Sequence, residues 1–513
     1  MQQIARSAMA ALALLFCAEL RAQVPPESVP AGTRVAQVPV SGRTAQTGSV
    51  ATVQSTQPGG AQTVNTINSI VQVQGAYQGS VPTALAPGAP LPLSLDEAVR
   101  RGLQYNLGPV ALQNLIQQAQ GVERTQRANL LPQISGGLTA TEQQINLAAL
   151  GFTSINTPAA AAFPKIIGPF HYVDARAGLT QSLLDIARVK NYRVSQENVR
   201  ATQLLAQDSR DLVVLAVTGA YLQLIASSSR IVSVRAQVDT AQATYRQAAD
   251  RFQAGLSPRI DATRSQVELQ VQQQRLTSVE NDLAKQKIAF GRLIGLPPGQ
   301  DFTLTDTIPY APLTGIVLDQ ALQRARANRA DLKAAQSQVH AAELALEGAR
   351  AERLPTLEVS GDYGVIGTSP QNSHGTFAVT GALRFPIWQG GRIKGDVQQA
   401  DAALQQRRAE QQDLDARVDA EVRSAFLDLN SAASQVAVAE SNRGLANDAM
   451  AQARDRFASG VADTIEVVQA QEAVAAAEQD YIASLYAHNL AKATLARAMG
   501  QADQSIKQFL GRP

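Results

Sequence analysis

Between residues 186 and 253, apolar and small side chains return every three or four positions. The seam runs Val217, Tyr221, Leu224, Ser228, Ile231, Val234, Val238, Ala241, Tyr245, Ala248 and Phe252. It recurs 205 positions later, from Val422, Phe426 and Leu429 to Met450, Ala453 and Phe457, with Arg443 the main departure. Such spacing predicts coiled-coil packing, and its small residues let helices approach closely. Long helices are therefore expected over about 186–253 and 390–458. Each ends at the same stretch, Arg251-Phe252-Gln253-Ala254-Gly255-Leu256 and Arg456-Phe457-Ala458-Ser459-Gly460-Val461. Glycine there accepts the left-handed conformation that closes a helix. Return helices over about 258–293 and 463–498 complete two helical hairpins with exposed tips.

Elsewhere the period is two. In 357–365, Leu357, Val359, Tyr363 and Val365 oppose Glu358, Ser360 and Asp362. In 376–387, Phe377, Val379, Leu383, Phe385 and Ile387 oppose Thr376, Thr380 and Arg384. In 171–184, Val173, Ala175, Ala177, Leu179 and Leu183 oppose Asp174, Arg176, Thr180 and Ser182. The stretch 134–145 is weaker, with Ile134, Leu138 and Ala140 on one face. Segments of ~10–12 residues suit tilted membrane-spanning strands. A half-buried soluble sheet would alternate in the same way.

These elements belong to an internal repeat. Leu95-Asp96-Glu97-Ala98 matches Leu318-Asp319-Gln320-Ala321, and Leu131-Pro132 matches Leu354-Pro355, both 223 positions on. Beyond the strands the shift becomes 205, because the loop Asn146–Phe170 is longer than Gly367–Gly375. Short helices are expected over 95–106, 109–130, 318–328 and 331–353. Ser94 or Asp96 caps the first, and the Leu-Pro pairs stop the second of each copy. The expected division is 1–22 signal peptide, 23–92 disordered extension, 93–300 first repeat, 301–316 linker, 317–500 second repeat and 501–513 tail. The two strand hairpins fall at 133–184 and 356–388.

Composition narrows the class. The chain has 513 residues, 45% hydrophobic and 17% charged, with net charge +2 and no Lys/Arg block. Nothing there points to nucleic acid. No apolar run reaches the ~20 residues of a transmembrane helix. Arg6 and the apolar stretch Ala8 to Phe16 read as a secretory signal with cleavage after Ala22. Cys17, the single cysteine, could alternatively carry a lipid; otherwise the mature chain has no thiol for disulfides or metal. Residues 23 to about 90, rich in Pro, Gln, Ser, Thr and Val, read as a disordered spacer. His171, His340, His374 and His488 lack metal-ligand spacing, and no Ser-His-Asp cluster or phosphate-cradling glycine loop is present. Neither an enzyme nor a cofactor is expected.

Four strands cannot close a barrel, and a lipid-facing sheet cannot leave its edges unpaired. The smallest membrane barrels have about eight strands, so several copies must share one. Three chains would supply twelve. Helices of about 65 residues are roughly 100 Å long, and each return helix stacked on a shorter helix nearly matches that length. The helices would continue the barrel wall as a tube ending at the Gly255 and Gly460 tips.

With these features together, residues 93–500 resemble the TolC-type outer-membrane efflux proteins. The likeness rests on the duplicated Leu-Asp-x-Ala starts, the two Leu-Pro junctions, Phe385-Pro386-Ile387-Trp388-Gln389-Gly390-Gly391-Arg392 and the two Arg-Phe-x-x-Gly tips. It implies an α+β membrane protein: a homotrimer with a twelve-stranded β-barrel, four strands per chain, continuous with a twelve-helix coiled-coil α-barrel. It also implies the outer-membrane exit duct of a tripartite pump or type I secretion system, working with a periplasmic adaptor and an inner-membrane transporter. By the same resemblance Arg251, Phe252, Gly255 and Leu256, with Arg456, Phe457, Gly460 and Val461, dock the adaptor. Glu466 takes the first acidic position of the periplasmic gate, while Gln469 stands at the second and Asp261 is the outward repeat equivalent. Glu466 read by itself is equally an ordinary surface carboxylate. Asp174, Arg176, Glu358, Asp362 and Arg384 would face the barrel lumen. Phe170, Tyr172 and Trp388 could form interfacial belts, although Trp388 fits a packed core as well. The other reading of the long seams is a non-channel coiled-coil scaffold or adhesin of the cell envelope.

Overall fold

A computed structural model describes residues 48–57, 66–82, 89–149, 164–306, 310–313, 315–461 and 464–503. The expected signal peptide, Cys17 and most of the C-terminal tail lie outside these residues. The chain divides into two compact units. Among described residues, the first comprises 123–195 and 341–404, and the second the remainder.

The first unit is built on one antiparallel sheet. Its strands are β4 (Gln133–Asn146), β5 (Ile166–Leu184), β7 (Thr356–Gly367) and β8 (Ser373–Arg384), in the order β4-β5-β7-β8. The hairpins of the two repeats meet at β5 and β7, where Ala177 faces Tyr363 and Leu179 faces Gly361. Each hairpin follows a helix closed by the same turn. Helix α2 (Leu107–Ala128) ends with the Leu131 amide on the Ala128 carbonyl, 3.1 Å. Helix α6 (Ala330–Ala351) ends with the Leu354 amide on the Ala351 carbonyl, 2.9 Å. The following Pro prevents a further turn in both. Asp185 opens α3 (Ile186–Gln253) by accepting the Arg188 amide at 2.9 Å. Strand β8 stops at Arg384, three residues before the expected end, so Phe385, Ile387 and Trp388 leave the ladder. Trp388 is exposed, and a core role within this chain is excluded.

The second unit carries the helical hairpins: α3 with α4 (Arg259–Leu293), and α7 (Arg392–Ala458) with α8 (Thr464–Ala498). The long members have 68 and 67 residues, and both return helices have 35. Short helices α1 (Leu95–Tyr105) and α5 (Leu318–Asn328) complete it. Ser94, one of the two expected caps, accepts the Glu97 amide at the start of α1. The largest buried cluster gathers Leu93, Tyr221, Phe290, Phe302, Leu490, Leu495 and Met499. Phe290 lies 6.0 Å from the Tyr221 ring and 5.8 Å from that of Phe302. The linker is less irregular than expected. Its β6 (Phe302–Leu304) pairs in parallel with β3 (Leu91–Leu93) and ties the repeats together.

The expectation of disorder over 23–92 is overturned for its described part. Strands β1 (Ser49–Gln57) and β2 (Thr66–Gln74) form an antiparallel hairpin. Val50, Val71 and Val73 pack against the main cluster, and the Thr52 hydroxyl meets that of Thr494 at 3.3 Å. Val71 sits where α3 has Gly219; a Cβ there would come within 2.3 Å of the valine. The next residues are also anchored, since Tyr77 is buried with its hydroxyl on Ser209, and Asn106 donates to the Tyr77 carbonyl. Burial of a few valines and one tyrosine outweighs the weak local propensity of this stretch.

Lys492 of α8 is fully enclosed and donates to the Ala311 carbonyl. Burial lowers its pKa to about 8. Burial, and then the Lys492 charge, lower that of the neighbouring His488 to about 4. The ring of Tyr310 covers His488 at 5.4 Å.

Candidate functional site

The two faces of the sheet differ in chemistry. Register places Ile134, Leu138, Val173, Leu179, Tyr363, Val365, Phe377, Val379 and Leu383 on one face. All are exposed, Phe377 to 77% and Val379 to 74%. The opposite face carries Asp174, Arg176, Glu358, Asp362 and Arg384, the five residues expected to share a lumen. They are linked in ion pairs. Arg176 meets Asp174 at 2.8 Å and Asp362 at 2.5 Å, bridging β5 to β7. Arg384 reaches Glu358 at 3.1 Å, bridging β8 to β7. A soluble sheet covers its apolar face and wets its polar one. Here the apolar face is bare and the polar face holds a charge network. The expected aromatic belt is partly relocated. Phe170 and Tyr172 stack at 6.3 Å, but they share the face of Asp174 and Arg176, not the apolar one.

The tips close identically. At the first, the Gly255 amide bonds the Phe252 carbonyl at 3.0 Å and the Leu256 amide bonds the Arg251 carbonyl at 2.9 Å. At the second, Gly460 bonds Phe457 at 3.1 Å and Val461 bonds Arg456 at 2.9 Å. This paired pattern places Gly at the left-handed position, and φ is +73° at Gly255 and +74° at Gly460. Leu256 (79%) and Val461 (71%) stand out into solvent, and Phe252 is exposed as well.

The two phenylalanines are not equivalent, which the repeated motif does not reveal. Phe457 is buried (6%) in a cluster with Met450 and Val467. Arg251 lies over the Phe457 ring at 4.6 Å and donates to the Ala458 carbonyl at 3.0 Å, so the first tip braces the second. Arg456 is paired with Glu466 at 2.9 Å. Within one chain, therefore, the candidate gate carboxylate neutralises a tip arginine. Gln469 is exposed one turn further on. A further feature had no sequence signal. A groove of about 670 Å³ opens among α3, α4, α7 and α8, where Arg443 lies 4.1 Å over Tyr481. Arg443, the departure from the seam, is thereby explained by its aromatic partner. No cluster of metal-ligating side chains occurs among the described residues.

A sheet with one bare apolar face and one ion-paired face, in a chain that also holds two duplicated long helical hairpins, defines a class of membrane-associated channel-type folds. The chain belongs to the outer membrane efflux protein family, which matches residues 110–296 and again 321–501. Among curated relatives, the pyoverdine export outer membrane protein OpmQ of Pseudomonas putida is 24% identical over 80% of this chain and 87% of its own length. Solved structures share the fold. VceC of Vibrio cholerae, an outer membrane protein, is 19% identical with a TM-score of 0.68, covering 79% of this chain and 96% of its own. The CmeC outer membrane channel of Campylobacter jejuni is 16% identical with a TM-score of 0.70, covering 81% of this chain and 89% of its own.

Proposed function

We propose that this protein is the outer-membrane channel component of a tripartite efflux pump or type I secretion system. It is a passive export duct across the periplasm and the outer membrane. The observation that carries this reading is the sheet, with its bare apolar face and its ion-paired polar face. In lipid the apolar face is satisfied, and the charged face must border water. Four strands with open edges at β4 and β8 then require other copies. Three chains give a twelve-stranded barrel, continued by twelve helical columns. The coiled-coil scaffold reading offers no role for a bare apolar sheet.

In this trimer Asp174, Arg176, Glu358, Asp362 and Arg384 line the lumen. Leu256, Val461, Phe252 and Arg251 meet a periplasmic adaptor, while Gly255, Gly460, Phe457 and Arg456 hold the shape of the tips. Three copies of Glu466 stand at the periplasmic entrance, each paired with Arg456 of its own chain. An inner-membrane transporter supplies the energy and selects the cargo; the duct catalyses no reaction and needs no cofactor. Purified trimer in planar bilayers is expected to conduct ions. Absence of conductance, including in Glu466→Gln, would overturn the channel reading. Gly460→Pro or Phe457→Asp, which deform the tip, should abolish export while trimers still insert, and so should Leu256→Asp with Val461→Asp on its exposed contacts; normal export in all of these would refute the docking role.

A further inference from the structure

The β1–β2 hairpin stands before the first repeat, and the second repeat has no counterpart of it among the described residues. Val71 fills the notch at Gly219, but the rest of β2 does not seal against the helices. A cavity of about 510 Å³ remains between β2 and helices α3, α4 and α8. Small-molecule sites span about 300–1,000 Å³. Val71 and Val73 wall the cavity on the hairpin side, with Phe290 and Leu293 of α4 on the other. Ala220 of α3 and Ala289 of α4, both small, leave its width open.

Five polar side chains also line it, and none is acidic. Gln78 donates to the Val73 carbonyl at 2.6 Å, and Gln286 accepts the Ser227 hydroxyl at 2.7 Å. The side chains of the other three, Gln223, Arg292 and Tyr486, have no hydrogen-bond or ion-pair partner among the described residues. Each can donate, and Arg292 adds a permanent positive charge. Tyr486 is 6% exposed. Burial raises its pKa against the lowering effect of the Arg230 charge, so the hydroxyl keeps its proton. A buried donor left without an acceptor is costly.

Helix register brings these three donors to one level. Helices α3 and α8 run in opposite directions, with Leu490 3.4 Å from where a Cβ of Gly219 would stand. One turn on along α3 is Gln223, and one turn back along α8 is Tyr486. Helix α4 is also antiparallel to α3, and Ser227 meets Gln286 there, which sets Arg292 within about a turn of Gln223. The second repeat lacks this chemistry. The shift of 205 carries Gly219 to Ser424 and Gln223 to Asp428, an acid where the cavity has a donor.

We propose that the cavity under the β1–β2 hairpin binds a single-chain amphiphile with an anionic head, of the fatty-acid or alkyl-phosphate class. Its chain lies between the hairpin valines and Phe290. Its head meets Arg292, with Gln223 and Tyr486 donating to it. Charge complementarity selects this occupant, since the lining offers donors and one cation to the head and no acid to repel it. The site needs only one chain and does not depend on the channel proposed above.

The test uses the full-length protein held in amphipol, because detergent would compete. Dodecanoate, kept below its micelle concentration, should bind saturably at one site per chain by calorimetry. Affinity should rise about fourfold for each methylene added from octanoate to dodecanoate. Ala289→Leu fills the cavity and should weaken dodecanoate tenfold or more. Arg292→Gln, at an exposed position that leaves the fold intact, should weaken dodecanoate about tenfold and leave neutral dodecanol unchanged. Limited proteolysis of residues 49–74 verifies that the hairpin stays docked in both variants. Mass spectrometry of protein extracted from its own membranes separates two sources of the ligand. A stoichiometric acyl anion that dodecanoate displaces identifies a membrane lipid, and an empty site that takes up dodecanoate identifies a free amphiphile. Dodecanoate that binds neither directly nor by displacement overturns the proposal. So does undiminished affinity in Ala289→Leu, or an equal loss of dodecanol and dodecanoate in Arg292→Gln.

Discussion

At the residue scale, the duplicated tip motif encodes two tasks in the same letters. Gly255 and Gly460 have open space around the position of a Cβ, so their requirement is purely conformational. Replacing either with Ala should cost about 1–2 kcal/mol, the strain of a left-handed non-glycine residue. Hydrogen exchange of the final turn of α3 or α7 would read this as earlier opening. The phenylalanines should separate sharply. Phe457→Ala empties a buried site and should destabilise the tip by about 3–5 kcal/mol. Phe252→Ala, at an exposed position, should cost about 1 kcal/mol or less. Equal effects would show that the bracing of the second tip by Arg251 is unimportant.

Lys492 gives a prediction with a definite sign. Its folded pKa, about 8, lies below the ordinary lysine value of 10.5. Below about pH 8 both states carry the proton, and the full penalty of a buried charge is present. Between about 8 and 10.5 only the unfolded chain holds the proton, so stability rises with pH. Lys492→Met should remove roughly 3 kcal/mol of that pH-dependent difference. Denaturant midpoints across this window are expected to climb for the wild type and to be flatter for the variant.

At the element scale, the sheet predicts opposite outcomes for its two faces. Val379→Arg puts a charge on the apolar face and should cost about 2–4 kcal/mol of insertion free energy near the membrane midplane. Loss of membrane-embedded protein on fractionation checks it. Asp362→Asn and Glu358→Gln change only the polar face. They should leave insertion intact and shift the reversal potential in a salt gradient toward anion preference. Much of this was legible in the chain. Helices at 186–253 and 318–328 agree with expectation to the residue: the seam and the glycine stop mark the end of the first, and the duplicated Leu-Asp-x-Ala start marks the second. Five charged positions on one sheet face followed from period two alone. The β1–β2 hairpin was not legible, since its stability comes from Val71 against Gly219 and from helices over a hundred residues away. The three-residue pair β3–β6 is too short to show any period. The burial of Phe457 beside the exposure of Phe252 depends on Arg251 crossing between tips, which no local pattern records. Gly219→Val should displace the hairpin and expose residues 49–74 to limited proteolysis; unchanged protection would mean that the hairpin is held elsewhere.

At the scale of the whole molecule, duplication without identity is the organising fact. A perfect repeat would present interchangeable surfaces and could close with several numbers of copies. Here Leu222 of α3 is buried, while its equivalent Leu427 of α7 is 68% exposed. The two halves of the chain therefore present different surfaces. Joining two such chains covalently through the C-terminus of one and the N-terminus of the next should still permit assembly, provided the linker spans the distance; size-exclusion of the fusion mixed with single chains would reveal one-plus-two particles.

The open edges of β4 and β8 also constrain the order of events in time. A lone sheet has no stable resting place in hydrocarbon, because each unpaired backbone group costs several kcal/mol there. In the shared barrel proposed above, insertion cannot then proceed chain by chain and must follow, or coincide with, association. Its rate should depend on chain concentration with a reaction order above one, slowing more than twofold on twofold dilution. In that proposed assembly the membrane is spared half-built pores, because the species that could leak is the one that cannot enter.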